Sequence, residues 1–383
     1  MVLLEAVEPR FRAPSSELAR EVLIHGPILR SDLASRLGLS LATLTRLTRP
    51  LLDRGLLMEL PEELDGGMGR PAKPLDVRAD AGQFIGIKLT GDAAFAVTTD
   101  LKAAEGRRAE RPLPSHDVAD VVDVIADLVR ELANHQDVLA IGISVGGVVS
   151  NQRVVERASF LGWSSVRLAD HVEEKLGIPV IVENDVVALT AAEHWFGLGR
   201  GLSNFAVITI GAGVGYGLVM YDHVVSTADT GRGRGFHFPL DAAGPLCPVG
   251  HRGCSTAMLT IPSIRAQVEV ALGAPATYAE ILRMAREDNP VARQVVHAAG
   301  AALGHLIAAV ANLAMVEHVV LGGEGLGVLS IAGDDMRAAI RADRDPEAAE
   351  ITLLIDEDGF ISWARAAAAI AIQRTLDTLA TTP

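Results

Sequence analysis

Short apolar runs that end in glycine or in an acid–amide turn recur along most of this chain, and they constrain its fold more than any other feature. Stretches with helical spacing separate most of these runs. Strands that alternate with helices and end in such turns predict an α/β fold, with the binding site at the carboxyl ends of the strands. The predicted strands cover residues 84–89, 93–98, 138–144, 179–182, 204–210 and 319–321.

Composition narrows the class of protein. The chain has 383 residues, of which 49% are hydrophobic but only 4% aromatic, so a large core must consist mainly of Ala, Val, Leu and Ile. Two cysteines exclude a disulfide scaffold and indicate a reducing compartment. The first residues carry acids where a signal peptide has bases, so we expect a cytoplasmic protein.

One segment, residues 298–316, resembles a membrane span because it holds 19 consecutive residues without Asp, Glu, Lys or Arg. That length is close to the ~20 residues that a span needs. The segment is rich in alanine, however, and it contains Gly300, Gly304, His305 and Asn312. We therefore predict a tightly packed buried helix and no membrane association.

The first 80 residues have a different pattern, in which three predicted helices precede a hairpin. The helices cover residues 15–25, 32–37 and 41–54; Gly38 allows a tight turn before the third, and Ser40 can cap it. This order of elements predicts a winged helix-turn-helix that binds DNA. The alternative is a small helical bundle with a solvated basic face, which would contain some of the same elements. The residues expected to contact DNA are Ser40, Thr43, Thr45, Arg46, Arg49 and, in the wing, Arg70.

Charge is divided unevenly between these two parts. The formal net charge is −14, of which residues 1–80 carry −1 and residues 81–383 carry −13. This excludes a protein that coats nucleic acid over its whole surface, because the larger part should be repelled by DNA. A nearly neutral head with a basic third helix is compatible with binding through a few contacts.

Several blocks of the sequence resemble the ROK family (repressors, open reading frames and kinases), in particular its winged-helix repressors of the xylose and N-acetylglucosamine type. The family's DNA-binding segment is matched by SDLASRLGLSLATLTRLTRPLLDRGLL, followed by GRP. The other matching blocks, in the family's order, are VENDVVALTAAEHWFG, VITIGAGVGYGLV, GFHFPLDAAGPLCPVGHRGC and HVVLGGEG.

The resemblance implies a two-lobed, actin-like body (ribonuclease H-like, as in sugar kinases, with an ATPase-type fold) and a sugar cleft between the lobes. We predict a winged helix-turn-helix domain at residues 1–80 and a first lobe at 81–190. A C-terminal helix at about 362–383 completes that lobe. The second lobe then covers 191–361 and contains a remnant of a zinc motif.

Kinases of this family hold phosphates and Mg²⁺ with an Asp followed by Gly-Gly-Thr. The matching positions here are Lys88 and the triplet Thr90, Gly91 and Asp92, so a metal-binding carboxylate is replaced by a cation. Because phosphoryl transfer depends on neutralising the phosphates, we expect no use of ATP and no catalytic residue. Asp185 matches the position of the family's general base and remains only as a remnant of it.

The resemblance also implies a ligand site in the cleft. Asn184 and Asp185 would belong to this ligand site, and the alternative is that they merely cap the following helix. Arg234 replaces a family Glu, and Thr256 replaces another, so either the cleft favours an anionic ligand such as a sugar phosphate or Arg234 pairs with a local acid. The predicted ligand-binding residues are Gly147, Asn184, Asp185, Arg234 and His237. The glycines at 211–215 and 322–323 are interpreted as structural turns.

The family's zinc site consists of one His and three Cys, and it is altered here. His237, Cys247 and Cys254 are present, but Val249 stands at the position of the middle Cys. Three ligands are one short of a closed structural zinc site, and His251 is a candidate for the fourth. The alternative is a pair of reduced, buried thiols without metal.

These observations predict a transcriptional regulator of carbohydrate metabolism, most simply a repressor. It would bind a palindromic double-stranded operator as a homodimer or homotetramer, and a sugar or sugar phosphate would bind in the cleft. Two alternatives stay open: an ATP-dependent sugar kinase with a regulatory head, and a regulator that responds to a protein partner.

Overall fold

The structure is a computed structural model that describes residues 14–61, 73–133, 137–227, 230–231 and 237–381. These residues form an N-terminal head and two lobes. The head comprises α1 (Pro14–His25), α2 (Arg30–Leu37), α3 (Leu41–Asp53), β1 (Leu57–Glu59) and β2 (Leu75–Val77). The first lobe comprises β3 (Gln83–Leu89), β4 (Ala93–Thr99), β5 (Glu105–Pro112), α4 (Val118–Ala133), β6 (Val138–Val145), β7 (Val148–Ser150), β8 (Val154–Ala158), β9 (Trp163–Val166), α5 (Leu168–Leu176) and β10 (Val180–Asn184).

The helix α6 (Asp185–Phe196) leads out of the first lobe into the second. The second lobe comprises β11 (Phe205–Ile210), β12 (Val214–Met220), β13 (His223–Val224), α7 (Ser255–Leu259), α8 (Ile261–Leu272), α9 (Tyr278–Arg286), α10 (Pro290–Ala314), β14 (His318–Gly322), α11 (Leu329–Ala342) and β15 (Thr352–Ile355). The last helix is α12 (Phe360–Thr381).

The head has the winged helix-turn-helix order that the sequence predicts. Gly38, at φ 62°, ends α2, and the Ser40 hydroxyl accepts a hydrogen bond from the backbone N–H of Thr43 at the start of α3. The second helix begins at Arg30 and is thus longer than predicted. β1 and β2 pair in an antiparallel manner. Arg70, the predicted wing residue, lies outside the described residues.

Each lobe is built on a five-stranded sheet. In the first lobe the strand order is β10-β6-β3-β4-β5, and β7, β8 and β9 form a small separate sheet. In the second lobe the order is β13-β12-β11-β14-β15. The parallel strands β3, β6 and β10 bring their carboxyl ends to the same edge, where the cleft residues lie. The predicted strands are present in both sheets, and the α/β fold is confirmed.

The helix α12 returns from the second lobe and packs on the sheet of the first. Two glycines of that sheet make this approach possible. A Cβ on Gly86 would lie 1.9 Å from the carbonyl oxygen of Ala364, and a Cβ on Gly142 would lie 1.8 Å from that of Ala367. The expected boundary between the lobes at residue 190 stays a prediction, and it falls within α6, which runs from Asp185 to Phe196.

The apolar segment at 298–316 belongs mostly to α10, which packs lengthwise against α11. A Cβ on Gly300 would lie 2.4 Å from the Cβ of Ala332, and one on Gly304 would lie 2.2 Å from the carbonyl oxygen of Met336. Among the described helices, α10 is the one long and apolar enough to span a bilayer, and more than half of its most apolar stretch is buried against the rest of the protein. Close helix packing therefore accounts for its composition.

The head docks on the body through α1. Leu18 and Val22 of α1 belong to the same buried cluster as Trp195 of α6 and Leu376 of α12. Two arginines add polar contacts in both directions across this junction. Arg20 of the head donates to the carbonyl oxygen of Asp222 at 2.6 Å, and Arg200 of the body donates to that of Ile24 at 2.6 Å. Head and body thus share one hydrophobic core.

Candidate functional site

The third helix of the head presents a polar face to solvent. Thr45, Arg46 and Arg49 are exposed, and Thr43 is half-buried. Arg49 lies 3.9 Å from Asp53, but both side chains are largely exposed, so this ion pair leaves the guanidinium free to meet a phosphate. The Ser40 hydroxyl caps the helix, so any DNA contact would have to share it. These are the residues predicted to contact DNA within the described part of the head.

The opposite face of α3 holds the helix to the head. Leu44 and Leu51 are fully buried, whereas Leu47 and Leu52 are only half-buried. Thr48 is also buried on this face, and its hydroxyl donates to the carbonyl oxygen of Thr45. The leucine spacing predicted this buried face but did not predict that Thr48 belongs to it. The Thr48 hydroxyl can be buried because it is hydrogen-bonded to a carbonyl oxygen of its own helix.

A buried ion pair lies at the carboxyl ends of the parallel strands of the first sheet, where the cleft is predicted. The Lys88 ammonium of β3 donates to Oδ2 of Asp185 at 2.5 Å, and the two side chains are 8% and 16% exposed. The same ammonium lies 4.9 Å from the centre of the Trp363 ring, a distance that allows a cation–π contact. Lys88, predicted to replace a metal-binding carboxylate, thus neutralises Asp185, the residue predicted to be the remnant of a general base. Sequence reasoning noted both residues but did not pair them.

Asn184 and Asp185 begin α6. The side-chain oxygen of Asn184 accepts from the backbone N–H of Val187 at 3.1 Å, and its amide group donates to the carbonyl oxygen of Gly147 at 2.8 Å. Oδ1 of Asp185 accepts from the backbone N–H of Val186. Asn184 is only 6% exposed, so its amide serves the protein. The capping alternative thus has direct geometric support, and a ligand role for Asn184 remains a prediction.

Two loops that bind nucleotide phosphates in kinases have partners within the chain. In the first, the Thr90 hydroxyl donates to Oδ1 of Asp92 at 2.7 Å. In the second, the backbone N–H of Ala212 donates to Oε1 of Glu324 at 2.7 Å. A carboxylate at a backbone N–H takes the donor that a phosphate would need, and it repels the phosphate charge.

Four candidate metal ligands come together in the second lobe. The ligand atoms of His237, Cys247, His251 and Cys254 all lie within 4.8 Å of one another. Nδ1 of His237 is 3.7 Å from Sγ of Cys247 and 3.5 Å from Sγ of Cys254. Nδ1 of His251 is 3.8 Å from Sγ of Cys247. A tetrahedral zinc with ordinary Zn–N and Zn–S bonds would place such atoms about 3.6 Å apart.

The chemistry of this cluster also suits zinc. Burial lowers the pKa of His237, with a contribution from His251, so the ring is neutral and can coordinate. Burial opposes ionisation of Cys247, but backbone N–H groups of Val249 and His251 outweigh it and lower its pKa. Val249 is 65% exposed and offers no metal-binding atom, and His251 is the fourth candidate ligand in this cluster.

Arg234, predicted to bind ligand in the cleft, lies outside the described residues. Gly147 is described, with φ at 158°, and a Cβ there would lie 2.0 Å from the carbonyl oxygen of Arg157. Gly231 of the second lobe approaches it so closely that a Cβ on Gly231 would lie 2.2 Å from the carbonyl oxygen of Gly147. Glycine is thus required at 147 for close packing against β8 of the same lobe, and at 231 for the second lobe to approach the first.

Comparisons with known proteins show which family the chain belongs to. The profile of the ROK family matches residues 84–343. The chain is 25% identical over 313 residues to the DNA-binding transcriptional repressor Mlc of Escherichia coli (strain K12), covering 78% of this chain and 77% of that protein. It is 26% identical over 242 residues to the xylose repressor of Bacillus subtilis (strain 168), covering 62% and 63%.

Solved structures show the same likeness at the level of the fold. A ROK family transcriptional regulator, described as a homolog of the E. coli MLC protein, superposes with a TM-score of 0.80 at 26% identity, over 96% of this chain and 98% of that one. A ROK family glucokinase from Streptomyces griseus, in complex with glucose and AMPPNP, superposes with a TM-score of 0.64 at 24% identity. That second match covers 76% of this chain and shows the fold of the body alone.

Proposed function

Because the chain belongs to the ROK family, we propose that it is a carbohydrate-responsive, DNA-binding transcriptional repressor. The observation that carries this proposal is the winged helix-turn-helix head, whose basic third helix is exposed while α1 is docked on a sugar-kinase-like body. A head that shares its core with a two-lobed body suits a regulator in which the body controls DNA binding.

The head would place α3 in the major groove. Thr43, Thr45, Arg46 and Arg49 would meet base edges and phosphates there, and Arg70 of the wing would contact the minor groove or backbone. A homodimer or homotetramer would present two such helices to a palindromic operator. The protein would act in the cytoplasm, where its two cysteines would stay reduced, with no disulfide between them.

Phosphoryl transfer is not part of this proposal. A general base must accept a proton from the sugar hydroxyl, and Asp185 is held by the Lys88 ammonium instead. A phosphate at the 211–215 loop would meet the Glu324 carboxylate. Lys88 therefore opposes proton transfer to Asp185, and Glu324 opposes binding of a phosphate. We propose that kinase activity is lost.

A sugar bound in the cleft would act as effector. The two lobes meet at α6 and α12, and α1 of the head packs on α12, so a change in the lobe angle reaches the head directly. The effector changes operator affinity only if it binds one lobe arrangement more tightly than the other.

A structural zinc ion would be held by His237, Cys247, His251 and Cys254. When bound, the ion would cross-link residues that a short loop brings together, and it would contribute to the stability of the second lobe. The ligand set is the family's with one Cys exchanged for His251.

The decisive experiment is gel retardation with DNA fragments from upstream of the protein's own gene. We expect specific, salt-sensitive retardation by the wild type and its loss in an Arg46→Ala, Thr45→Ala double variant. Arg130→Ala, an exposed arginine of α4 in the body, is the matched control and should bind normally. No specific retardation of any such fragment would overturn the proposal, and a sugar-dependent ATPase activity would overturn the loss of kinase activity.

A further inference from the structure

We propose that a groove at the edge of the first-lobe sheet binds a free α-amino acid with an apolar side chain. The groove lies between β5 and the start of α12 and has a volume of about 410 Å³. Its lining residues are Phe95, Arg108, Ala109, Glu110, Phe360 and Ile361. None of these residues takes part in the proposed function, so this inference is independent of it.

The floor of the groove is aromatic. Phe95 of β4 and Phe360, the first residue of α12, stack with their ring centroids 4.7 Å apart and their planes at 24°. Both residues are half-buried, and so is Ile361, which follows in the first turn of the helix. The stacked pair and Ile361 together form a surface on which the apolar group of a ligand can be removed from water.

Two charged side chains border this floor on one face of the sheet. Glu110 stands opposite Phe95 in the antiparallel pairing of β4 and β5, and opposed residues share a face. Arg108 is two positions away on β5, opposite Val97, so it lies on the same face. Two residues of a strand span about 7 Å. The groove therefore offers one cation and one anion side by side over an apolar floor.

The Glu110 carboxylate is available to a ligand. The residue is exposed, and among the described residues its side chain has neither an ion pair nor a hydrogen bond. Its neighbour Arg111 donates to the backbone carbonyl oxygen of Glu110 and pairs with the Glu131 carboxylate instead. An ammonium group at Glu110 would also lie next to the aromatic floor, which attracts a cation.

Arg108 can bind an anion even though it has a partner. Its guanidinium donates from one nitrogen to Glu105, and 55% of its side chain is exposed. Glu105 also lies 3.9 Å from Arg365, so this one carboxylate faces two guanidinium groups. A guanidinium has five N–H donors in a planar fork. The donors of Arg108 that do not meet Glu105 can therefore bind the carboxylate of a ligand.

An apolar α-amino acid matches all of these groups at once. Its carboxylate would bind Arg108, its ammonium group would bind Glu110, and its side chain would lie on the aromatic floor. A simple amine would bring a positive charge next to Arg108, and a simple carboxylic acid would bring a negative charge next to Glu110. The end of a peptide chain carries only one of the two charges, so a free amino acid fits better. The volume of the groove lies in the range of small-molecule sites.

The test is calorimetric titration of the full-length protein with L-leucine, L-phenylalanine and glycine. The N-acetyl and amide derivatives of the first two complete the panel, because each carries only one charge. We expect leucine or phenylalanine to bind, and glycine and the singly charged derivatives to bind more weakly by about tenfold or more. Glu110→Gln and Arg108→Gln should each weaken the binding by about tenfold.

Two exposed residues elsewhere in the first lobe provide matched controls. Glu174→Gln changes an exposed acid of α5, and Arg130→Gln changes an arginine that, like Arg108, pairs with an acid three positions earlier. Both control variants should bind as the wild type does. Thermal melting without ligand should be unchanged in Glu110→Gln and Arg108→Gln, because both side chains are exposed.

Three results would contradict the proposal. Failure of both leucine and phenylalanine to bind the wild type would overturn the site. Equal binding of a singly charged derivative would overturn the choice of a ligand with both charges. Binding within twofold of the wild type by either Glu110→Gln or Arg108→Gln would show that the amino acid is held elsewhere.

Discussion

Among single residues, Lys88 and Asp185 determine what the cleft can do. The pair is almost completely buried, and burying two charges is tolerable only while each compensates the other. In the proposed function, Lys88 stands in place of a metal-binding carboxylate and neutralises Asp185, so that the residue at the general-base position is kept as part of a structural pair.

Removal of the lysine should therefore destabilise the fold. Lys88→Met leaves the Asp185 carboxylate unpaired, and we expect the free energy of unfolding to fall by about 3 kcal/mol in urea denaturation. Lys175→Ala, which breaks an exposed pair with Asp123, is the matched control and should cost under about 1 kcal/mol. A double variant with Asp185→Asn should recover part of the loss. Equal effects of Lys88→Met and Lys175→Ala would contradict this account.

His194 makes the stability of the head–body junction depend on pH. Burial lowers its pKa to about 4 from 6.5, with Arg20 adding to the effect and Asp222 opposing it. Between pH 4 and 6.5 the unfolded chain therefore binds a proton that the folded chain does not, and stability falls as the pH falls through this window. The loss reaches about 3 kcal/mol below it.

His194→Gln should flatten this dependence. Urea denaturation at several pH values between 4 and 7.5 should show a smaller loss of stability for the variant than for the wild type. Burial raises the pKa of Glu183 and Glu193, which act in the opposite direction, so the difference between variant and wild type is the relevant quantity. Parallel pH profiles of the two proteins would show that His194 does not contribute.

At the scale of elements, the end of α1 is the mechanical junction between head and body. Arg200 donates to the carbonyl oxygen of Ile24 at 2.6 Å, in the last turn of α1. A cation there satisfies a terminal carbonyl and complements the helix dipole. Leu33, Leu44 and Leu57 of the head are buried in the core that head and body share, so the head should stay folded without this one contact.

Arg200→Ala should accordingly uncouple the head from the body. We expect operator affinity without sugar to remain within about threefold, while the change caused by sugar becomes smaller by about tenfold, which is the range of an ordinary coupling energy. Gel retardation with and without sugar measures both. Arg130→Ala serves again as the control, and an unchanged sugar response in Arg200→Ala would refute the role of this contact.

The loop from His237 to Cys254 should behave as a zinc-bound element. Metal analysis of the purified protein should find about one zinc per chain, and His251→Ala should lower this ratio because it leaves three ligands. A chelator should lower the melting temperature of the wild type by several degrees and that of His251→Ala less. His171→Ala, in α5 of the other lobe, is the control. A ratio near zero in the wild type would exclude the zinc.

At the scale of the whole molecule, charge is separated by domain. The body carries −13 and the first 80 residues carry −1, so contacts with DNA must come from a few residues of the head.

In a dimer each arginine occurs twice, and Arg49→Ala would remove two phosphate contacts. The slope of log affinity against log salt should then become shallower by about 2. Retardation over a range of salt concentrations measures it, and an unchanged slope would show that Arg49 does not meet phosphate.

Local signals in the sequence predicted the elements that depend on near neighbours. The cap at Ser40, the turn at Gly38 and the apolar strands of both sheets were found because each is set by residues within a few positions. The strand β5 was missed because it is a polar edge strand, GRRAERP among its residues, and carries no alternation to detect.

The sequence by itself thus determined the fold class, the helices of the head, and the four residues that meet in the candidate metal cluster. Only the tertiary structure decided how they combine. Lys88 pairs with Asp185 across 97 positions because β3, β6 and β10 run parallel and end at one edge. His251 joins the candidate metal cluster because a tight loop, in which the backbone N–H of Cys247 donates to the His251 carbonyl oxygen, brings its ring close to the Cys247 thiol. Such contacts depend on strand register and packing over long separations, which no local pattern encodes.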